Sequence, residues 1–225
     1  MFFNYRYRIF TKNYIKGNFK FYLYKLFGGI NFKNKNVLDI GSGTGIFSIY
    51  SSFAGAKNVY SLEPEDEGSS ELMLDNFFKL KNMFKCDNIN IIDKKLQDFY
   101  NNDIKFDIVI LHNTINHLDE DATINVHNNL ASQKKFIKIF KEIKNILNEN
   151  AEIIITDCSK YNLFGDLGIK NPFAPQIEWE KHNSPYAWEK ILLKSEFRSV
   201  NVEWINHNSL RSIGSWLFGN KYMSY

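Results

Sequence analysis

The sequence predicts an α/β domain, a sheet with helices on both faces, and three observations predict it. Val37 to Ile49 reads VLDIGSGTGIFSI: a short apolar run breaks into a glycine-rich turn and then opens a helical pattern, the form of a nucleotide-binding crossover. Phe106 to Leu111 reads FDIVIL, continuous and apolar, as a central strand covered on both faces requires. Between and around these two, short apolar runs alternate with segments of helical periodicity.

In chain order, Phe19, Tyr22, Leu23, Leu26 and Phe27 recur at helical spacing, and Gly28-Gly29 stops that helix. Strand one spans roughly Asn36 to Ile40, and the helix after it roughly Gly45 to Phe53. Val59 to Leu62 is a second strand closed by Glu63-Pro64, Glu67 to Phe84 a helix, and Ile89 to Ile92 a third strand. A polar segment from Lys94 to Phe99 leads to the central strand. Asp119-Glu120-Asp121 forms the acidic first turn of a long helix whose apolar stripe is Phe136, Phe140, Ile143 and Leu147. Its lysines form a solvated face, Asn148 to Asn150 end it, and Ala151 to Thr156 is a fifth strand. Pro185 starts a helix reaching Phe197. Arg198 to Ile205 alternates as a sixth strand, and Asn206 to Gly219 is a packed connector.

No internal repeat or low-complexity linker interrupts the 225 residues, so the expectation is one domain, 1–225. Two parts stand apart from its rhythm. Residues 1–30 are aromatic and basic without an acid, and suit a helical lid, with Tyr5, Tyr7 and Tyr14 facing a ligand and Arg6 and Arg8 meeting an anion. Residues 157–185 hold several Gly, Pro and aromatic residues and suit an acceptor-side insertion over a cleft. A net charge of +3 is too mild to point to nucleic acid or a membrane surface. Cys86 and Cys158 lack metal-ligand spacing, and no metal site is expected. No apolar run would span a bilayer, and the N-terminus lacks the apolar core of a signal peptide, so the expected location is the cytoplasm.

The glycine spacing narrows the ligand. A dinucleotide loop places its third glycine where this chain has Ile46. Here Gly41, Gly43 and Gly45, with Ser42 among them, follow Asp39, a carboxylate suited to a cationic ligand and unsuited to a pyrophosphate on a helix N-terminus. An acid roughly 20 residues past such a loop holds ribose hydroxyls in this architecture, and Glu63, followed by Pro64, stands there. Leu96 can pack on an adenine and Gln97 can bond its edge. The central strand ends in His112-Asn113-Thr114-Ile115-Asn116-His117, and ligands bind outside the carboxyl ends of strands in such sheets. Convergent polar groups there point to chemistry. His182, Tyr186 and Arg211 are further acceptor-side candidates.

Together, VLDIGSGTG, Glu63 and FDIVILHNTINHL resemble a class I S-adenosylmethionine-dependent methyltransferase over roughly residues 36–156. The resemblance implies a seven-stranded-type Rossmann-like sheet whose last strand is here short or missing, since few residues follow Gly219. It implies S-adenosylmethionine as cofactor and S-adenosylhomocysteine as product. By it, Gly41 and Gly43 let the backbone approach the amino-acid end of the cofactor, Asp39 orients that end, Glu63 holds the ribose, and the His112 carbonyl meets the amino group. An alcohol acceptor would need a base, for which His117 is the first choice, with Asn113 or Asn116 orienting the acceptor. The NTINHLDE run and PQIEWEKHNSP are similar to small methyltransferases of bacterial surface-polysaccharide pathways, including those acting on a phosphate or phosphoramidate precursor of capsule modification. That similarity implies a small-molecule acceptor methylated on oxygen. A macromolecular acceptor (tRNA or protein) and a non-catalytic cofactor-binding module are the alternatives.

Overall fold

The computed structural model describes residues 16–64, 73–99, 103–172, 174–205 and 211–224. The expected lid residues Tyr5, Arg6, Tyr7, Arg8 and Tyr14 lie outside them. The chain forms two compact units. Residues 29–115 and 146–156 belong to the first; the described parts of 13–28, 116–145 and 157–225 form the second.

The first unit is built on five parallel strands: β1 (Asn36–Ile40), β2 (Asn58–Leu62), β3 (Ile89–Ile92), β4 (Phe106–His112) and β5 (Leu147–Thr156), in the order β3-β2-β1-β4-β5. The order reverses between β1 and β4, where Val37 pairs with Ile108 and Ile40 with Leu111. That switch point opens a crevice outside the carboxyl ends of the two strands. Val37, Leu38, Ile108, Val109 and Leu111 are buried, which accounts for their unbroken apolar character. At the amino edge, the Asp107 carboxylate accepts from the Asn36 N–H at 2.9 Å and the Asn148 amide at 3.0 Å, with Lys35 Nζ at 3.4 Å. Burial would raise its pKa, but these donors outweigh burial and lower it. One side chain thereby fixes the starts of β1, β4 and β5.

Helix α1 (Lys16–Phe27) belongs to the second unit; α2 (Ile46–Phe53) and α3 (Met73–Phe84) belong to the first. Helix α2 packs across β1, β2 and β3. Gly45 precedes it in the left-handed region, φ 77°, and a Cβ there would collide with the Phe77 ring of α3. Glycine is thus demanded twice at one position, by the backbone and by a fully buried aromatic ring.

The second unit also contains α4 (Glu120–Asn125), α5 (Leu130–Asn145), α6 (Leu163–Asp166), α7 (Pro185–Lys194) and α8 (Arg211–Phe218). Asp119 caps α4 by accepting from the Ala122 N–H, as its acidic start predicts. Phe136 of α5 meets Trp188 of α7 edge to face at 4.9 Å, and Ser184 caps α7 ahead of Pro185. Several α5 lysines reach acids: Lys135 to Asp119 at 3.0 Å, and Lys144 and Lys141 to Glu196 at 3.0 and 3.3 Å. Such exposed pairs contribute about 0–1 kcal/mol each.

Three expectations are corrected. Residues 198–205 form no strand, and residues 220–223 turn rather than extend, so the described residues contain five strands. The long helix after Asp119 breaks at residues 126–129 into α4 and α5. Strand β5 starts at Leu147, because its extended backbone begins in the polar LNEN segment that apolar patterning cannot identify. Arg211 is exposed, as expected, and donates from Nε to Asn18 Oδ1 at 2.9 Å within the second unit.

Gly45→Ala is expected to destabilise the protein by about 2–4 kcal/mol in urea unfolding, the sum of a left-handed alanine and an aromatic clash. Phe77→Leu in the same chain should recover part of that loss. Strictly additive losses would show that the ring is not the obstacle.

Candidate functional site

At the carboxyl end of β1, Asp39 is 1% exposed. Its Oδ2 accepts from the Ser48 hydroxyl of α2 at 2.5 Å, and Ser48 Oγ lies 2.8 Å from Ser61 Oγ of β2. Ser48 gives its one proton to Asp39, so Ser61 is the donor to Ser48. Burial pushes the Asp39 pKa up to about 7, the Ser48 bond works against the rise, and the Glu63 carboxylate adds to it. An anion held at such cost calls for a cationic partner.

The chain then turns through Gly41, Gly43 and Gly45, all at positive φ. The Gly41 and Ser42 N–H groups both donate to the Leu62 carbonyl at 2.8 and 3.0 Å, tying the loop to the end of β2. A Cβ at Gly41 would strike Thr114, the second residue after β4. Among the described residues, a Cβ at Gly43 would have only Met73 Sδ near it, at 3.6 Å. The face of the loop at Gly43 is therefore left open by glycine, whereas Gly41 and Gly45 are needed for packing. Ser42 Oγ is buried without a hydrogen-bond partner among the described residues.

Glu63 ends β2 and is 7% exposed. Its Oε2 accepts from the Gly43 N–H at 2.6 Å, directly joining the two motifs separated in sequence. Burial raises the Glu63 pKa, partly countered by that bond. Pro64 follows it. The Glu63 N–H donates to the Ile92 carbonyl at 3.1 Å, so the loop after β3 starts beside it. That loop forms a single 3-10 turn, Leu96–Asp98, with Leu96 half-buried and Gln97 exposed.

His112 closes β4. Its ring stacks 4.4 Å from Phe47, and burial lowers its pKa to about 4, so the imidazole is neutral at pH 7. Its carbonyl accepts from Thr114 Oγ1 at 3.0 Å. Asn113 is exposed, with φ 52°, and its N–H donates to the Thr156 carbonyl at 2.8 Å. Asparagine tolerates the left-handed region better than other non-glycine residues, which explains its place at this sharp turn.

The remaining acceptor-side residues belong to the second unit. Asn116 is 3% exposed, and its Oδ1 has no partner among the described residues. Its amide reaches His117 Nε2 at 3.3 Å, and His117 Nδ1 meets Glu120 Oε1 at 2.7 Å. Since the amide donates, Nε2 accepts and Nδ1 carries the proton toward Glu120. Lys181 reaches the other oxygen of Glu120 at 2.7 Å.

A second histidine pair was only half legible in the sequence. Asp157, immediately after β5, accepts from His182 Nδ1 at 2.9 Å, and their side chains are 5% and 11% exposed. The other carboxylate oxygen, Oδ2, is buried without a partner among the described residues. The pair spans 25 positions, too many for spacing to reveal; only His182 in an irregular loop was a signal. Tyr186 is exposed at the start of α7.

Among the described residues, no three His, Cys, Asp or Glu are placed to hold a metal ion, and no helix is long and apolar enough to cross a membrane.

A family model described as a methyltransferase domain matches residues 8–218. Protein arginine N-methyltransferase 1 of Chlamydomonas reinhardtii is 41% identical over 81 residues, 35% of this chain and 21% of that protein. Ribosomal protein L11 methyltransferase of Fusobacterium nucleatum is 30% identical over 134 residues, 60% of this chain and 36% of that protein. This chain spans well under half the length of either relative. Among solved structures, a SAM dependent methyltransferase from Aquifex aeolicus aligns with TM-score 0.57 and 17% identity over 85% of this chain and 93% of that one. The YcgJ protein from Bacillus subtilis aligns with TM-score 0.57 and 12% identity over 88% and 77%. At these identities the structural likeness speaks for the fold.

The raised Asp39 pKa has a measurable consequence. The folded value lies above the unfolded one, so the group's stabilising contribution is complete below about pH 4 and is lost as pH rises through about 7. Urea unfolding of ligand-free protein should show Asp39→Asn gaining on the parent chain between about pH 4 and pH 7, by at most about 4 kcal/mol. Parallel pH profiles would show that Asp39 ionises normally.

Proposed function

From a chain that belongs to the methyltransferase-domain family, whose model spans residues 8–218, we propose an S-adenosylmethionine-dependent methyltransferase acting on an oxygen of a small polar metabolite. The observation that carries the reading is the joined pair of motifs at the switch point: an open glycine loop over buried Asp39, bonded to Glu63 at 2.6 Å. The residues fit S-adenosylmethionine. Glu63 offers carboxylate oxygens to ribose hydroxyls, and Asp39 offers the one strongly buried negative charge near the loop to a cationic amino-acid end. Gly41, Ser42, Gly43 and Gly45 shape the approach, Pro64 and Leu96 wall the adenosine, Gln97 bonds its edge, and the His112 carbonyl takes the amino group.

The cofactor supplies an electrophilic methyl on a sulfonium that needs no activation by the protein. The protein's task is then to hold the acceptor and manage one proton. Asn113 and Asn116 orient the acceptor oxygen. His117 Nε2 takes the hydroxyl proton once the Asn116 amide turns from it, and Glu120 holds the opposite nitrogen as donor. A phosphorylated or phosphoramidate precursor of capsule modification is the finer form of this proposal, supported by the similarity of NTINHLDE and PQIEWEKHNSP to enzymes of that kind.

Two observations favour other readings. The Asp157–His182 pair has the geometry of a base and its orienting carboxylate, with Nε2 left as the proton-accepting atom. The local likeness to protein arginine and ribosomal protein methyltransferases favours a protein acceptor. A guanidinium acceptor calls for open carboxylates, whereas Glu120 is already held by Lys181 and His117.

Calorimetric titration should show S-adenosylmethionine binding that falls at least about tenfold in Gly43→Val, whose side chain fills the open face of the loop, and in Glu63→Gln, which loses a charge-assisted interaction worth about 1.5–3 kcal/mol. Full affinity in both would remove the site assignment. An acceptor screen following S-adenosylhomocysteine should cover sugar phosphates, phosphorylated amino-acid derivatives and histone-like or ribosomal peptides. On the accepted substrate, His117→Ala is expected to lower kcat about 100-fold or more. If His182→Ala does so and His117→Ala does not, the base is His182.

A further inference from the structure

The second unit contains a cavity of about 640 Å³ that none of the residues assigned above lines. The end of α4, the chain from Lys160 through α6, and the turn at Trp179 wall it. Tyr161, Phe164 and Trp179 supply aromatic surface. Two nitrogen bases converge on one of these rings. Lys160 Nζ lies 5.6 Å from the Tyr161 centroid, and the His127 ring stands edge-on to Tyr161 at 6.4 Å.

Neither Lys160 nor His127 forms an ion pair among the described residues. Lys160 has no carboxylate within ion-pair distance among the described residues. Asp166, which also lines the cavity, is paired with Lys221 at 3.4 Å. Glu178 and Glu120 are both taken by Lys181 at 2.7 Å. Glu180 is exposed and acts on Lys160 only through its field. Burial lowers the Lys160 pKa, and burial together with Lys160 lowers that of His127. Lys160 therefore disfavours charge on His127, and a bound anion would relieve the burial of the one and the repulsion on the other. A half-buried ammonium beside an aromatic wall, with a ring N–H donor opposite, is a recognition site for a charged oxygen group attached to a ring or apolar body.

We propose that this cavity binds an organic anion, its phosphate or carboxylate held by Lys160 and His127 and its body lying on Tyr161, Phe164 and Trp179. Binding of the anion does not depend on the methyltransferase reading. A phosphorylated or carboxylated sugar is the ligand class this selects. A guanidinium side chain is disfavoured, because Lys160 would repel it.

Titration calorimetry on the full chain, with glucose 6-phosphate, glucuronate and glucose as probes, tests this directly. Both anions should bind more tightly than glucose, and their order reports whether phosphate or carboxylate is preferred. Lys160→Met should weaken the tighter anion by about tenfold or more, and Lys160→Arg should retain most of it. His127→Gln keeps an N–H donor and should cost less than Lys160→Met. Titration of the same variants with S-adenosylmethionine checks that they are folded and tests the cofactor reading separately. Anion binding unaffected by Lys160→Met in a variant with normal cofactor affinity overturns the proposal, as does equal affinity for glucose and both anions. If the parent chain fails to bind S-adenosylmethionine yet binds the anions through Lys160, the cofactor reading falls and the anion pocket stands.

Discussion

The bond from Gly43 N–H to Glu63 Oε2 is the constraint around which the first unit is arranged. It joins the turn after β1 to the end of β2, and it requires three things together. The loop must enter the left-handed region, the β1–β2 register must align Ile40 with Leu62, and a carboxylate must tolerate burial. Glycine satisfies the first, parallel pairing the second, and the backbone donor itself offsets part of the third. Loops at strand ends are ordinarily mobile; this one is held by the Leu62 carbonyl and the Glu63 carboxylate.

The same region concentrates two acids, Asp39 and Glu63, in a buried space served mainly by backbone donors and serine hydroxyls. Glu63 raises the cost of ionising Asp39, and no Lys or Arg of the described residues pairs with either. A protein selected for stability alone would replace one of them with an apolar residue. Their retention makes sense when a ligand brings a positive charge and hydroxyl groups, because the unfavourable field of the empty loop becomes an attraction. At the proposed cofactor site, such a ligand would relieve part of the electrostatic cost held in the ligand-free fold.

The second unit follows a different rule. Its contacts are helix on helix, Phe136 on Trp188, with Lys–Glu pairs at the margins and irregular chain between Asp157 and Ser184. Here the polar side chains bond one another and loop carbonyls: Asp157 accepts from His182, Asn183 donates to the Thr123 carbonyl at 2.7 Å, and Asn162 donates to the Ser159 carbonyl at 2.7 Å. Such contacts give an irregular segment a defined shape, which loops of this length need if they are to discriminate a ligand.

Local rules determined much of this protein from its sequence. Strands β1 to β4 have apolar runs bounded by turn residues, and the glycine loop, Asp39 and Glu63 are spaced by a geometry that repeats wherever a parallel crossover binds such a ligand. The family followed from the same residues. Tertiary structure alone decided what depends on non-local partners. It turned the alternating residues 198–205 into irregular chain, because alternation proposes a strand only where a neighbouring edge is there to pair. It paired Asp157 with His182, engaged both nitrogens of His117, and placed Phe77 against Gly45. It also brought Lys160 and His127 to one aromatic ring across 33 positions of sequence, counted from 160 minus 127. Spacing cannot reveal such pairs, because their distance in space is set by how helices and loops close on one another and not by the period of any one element.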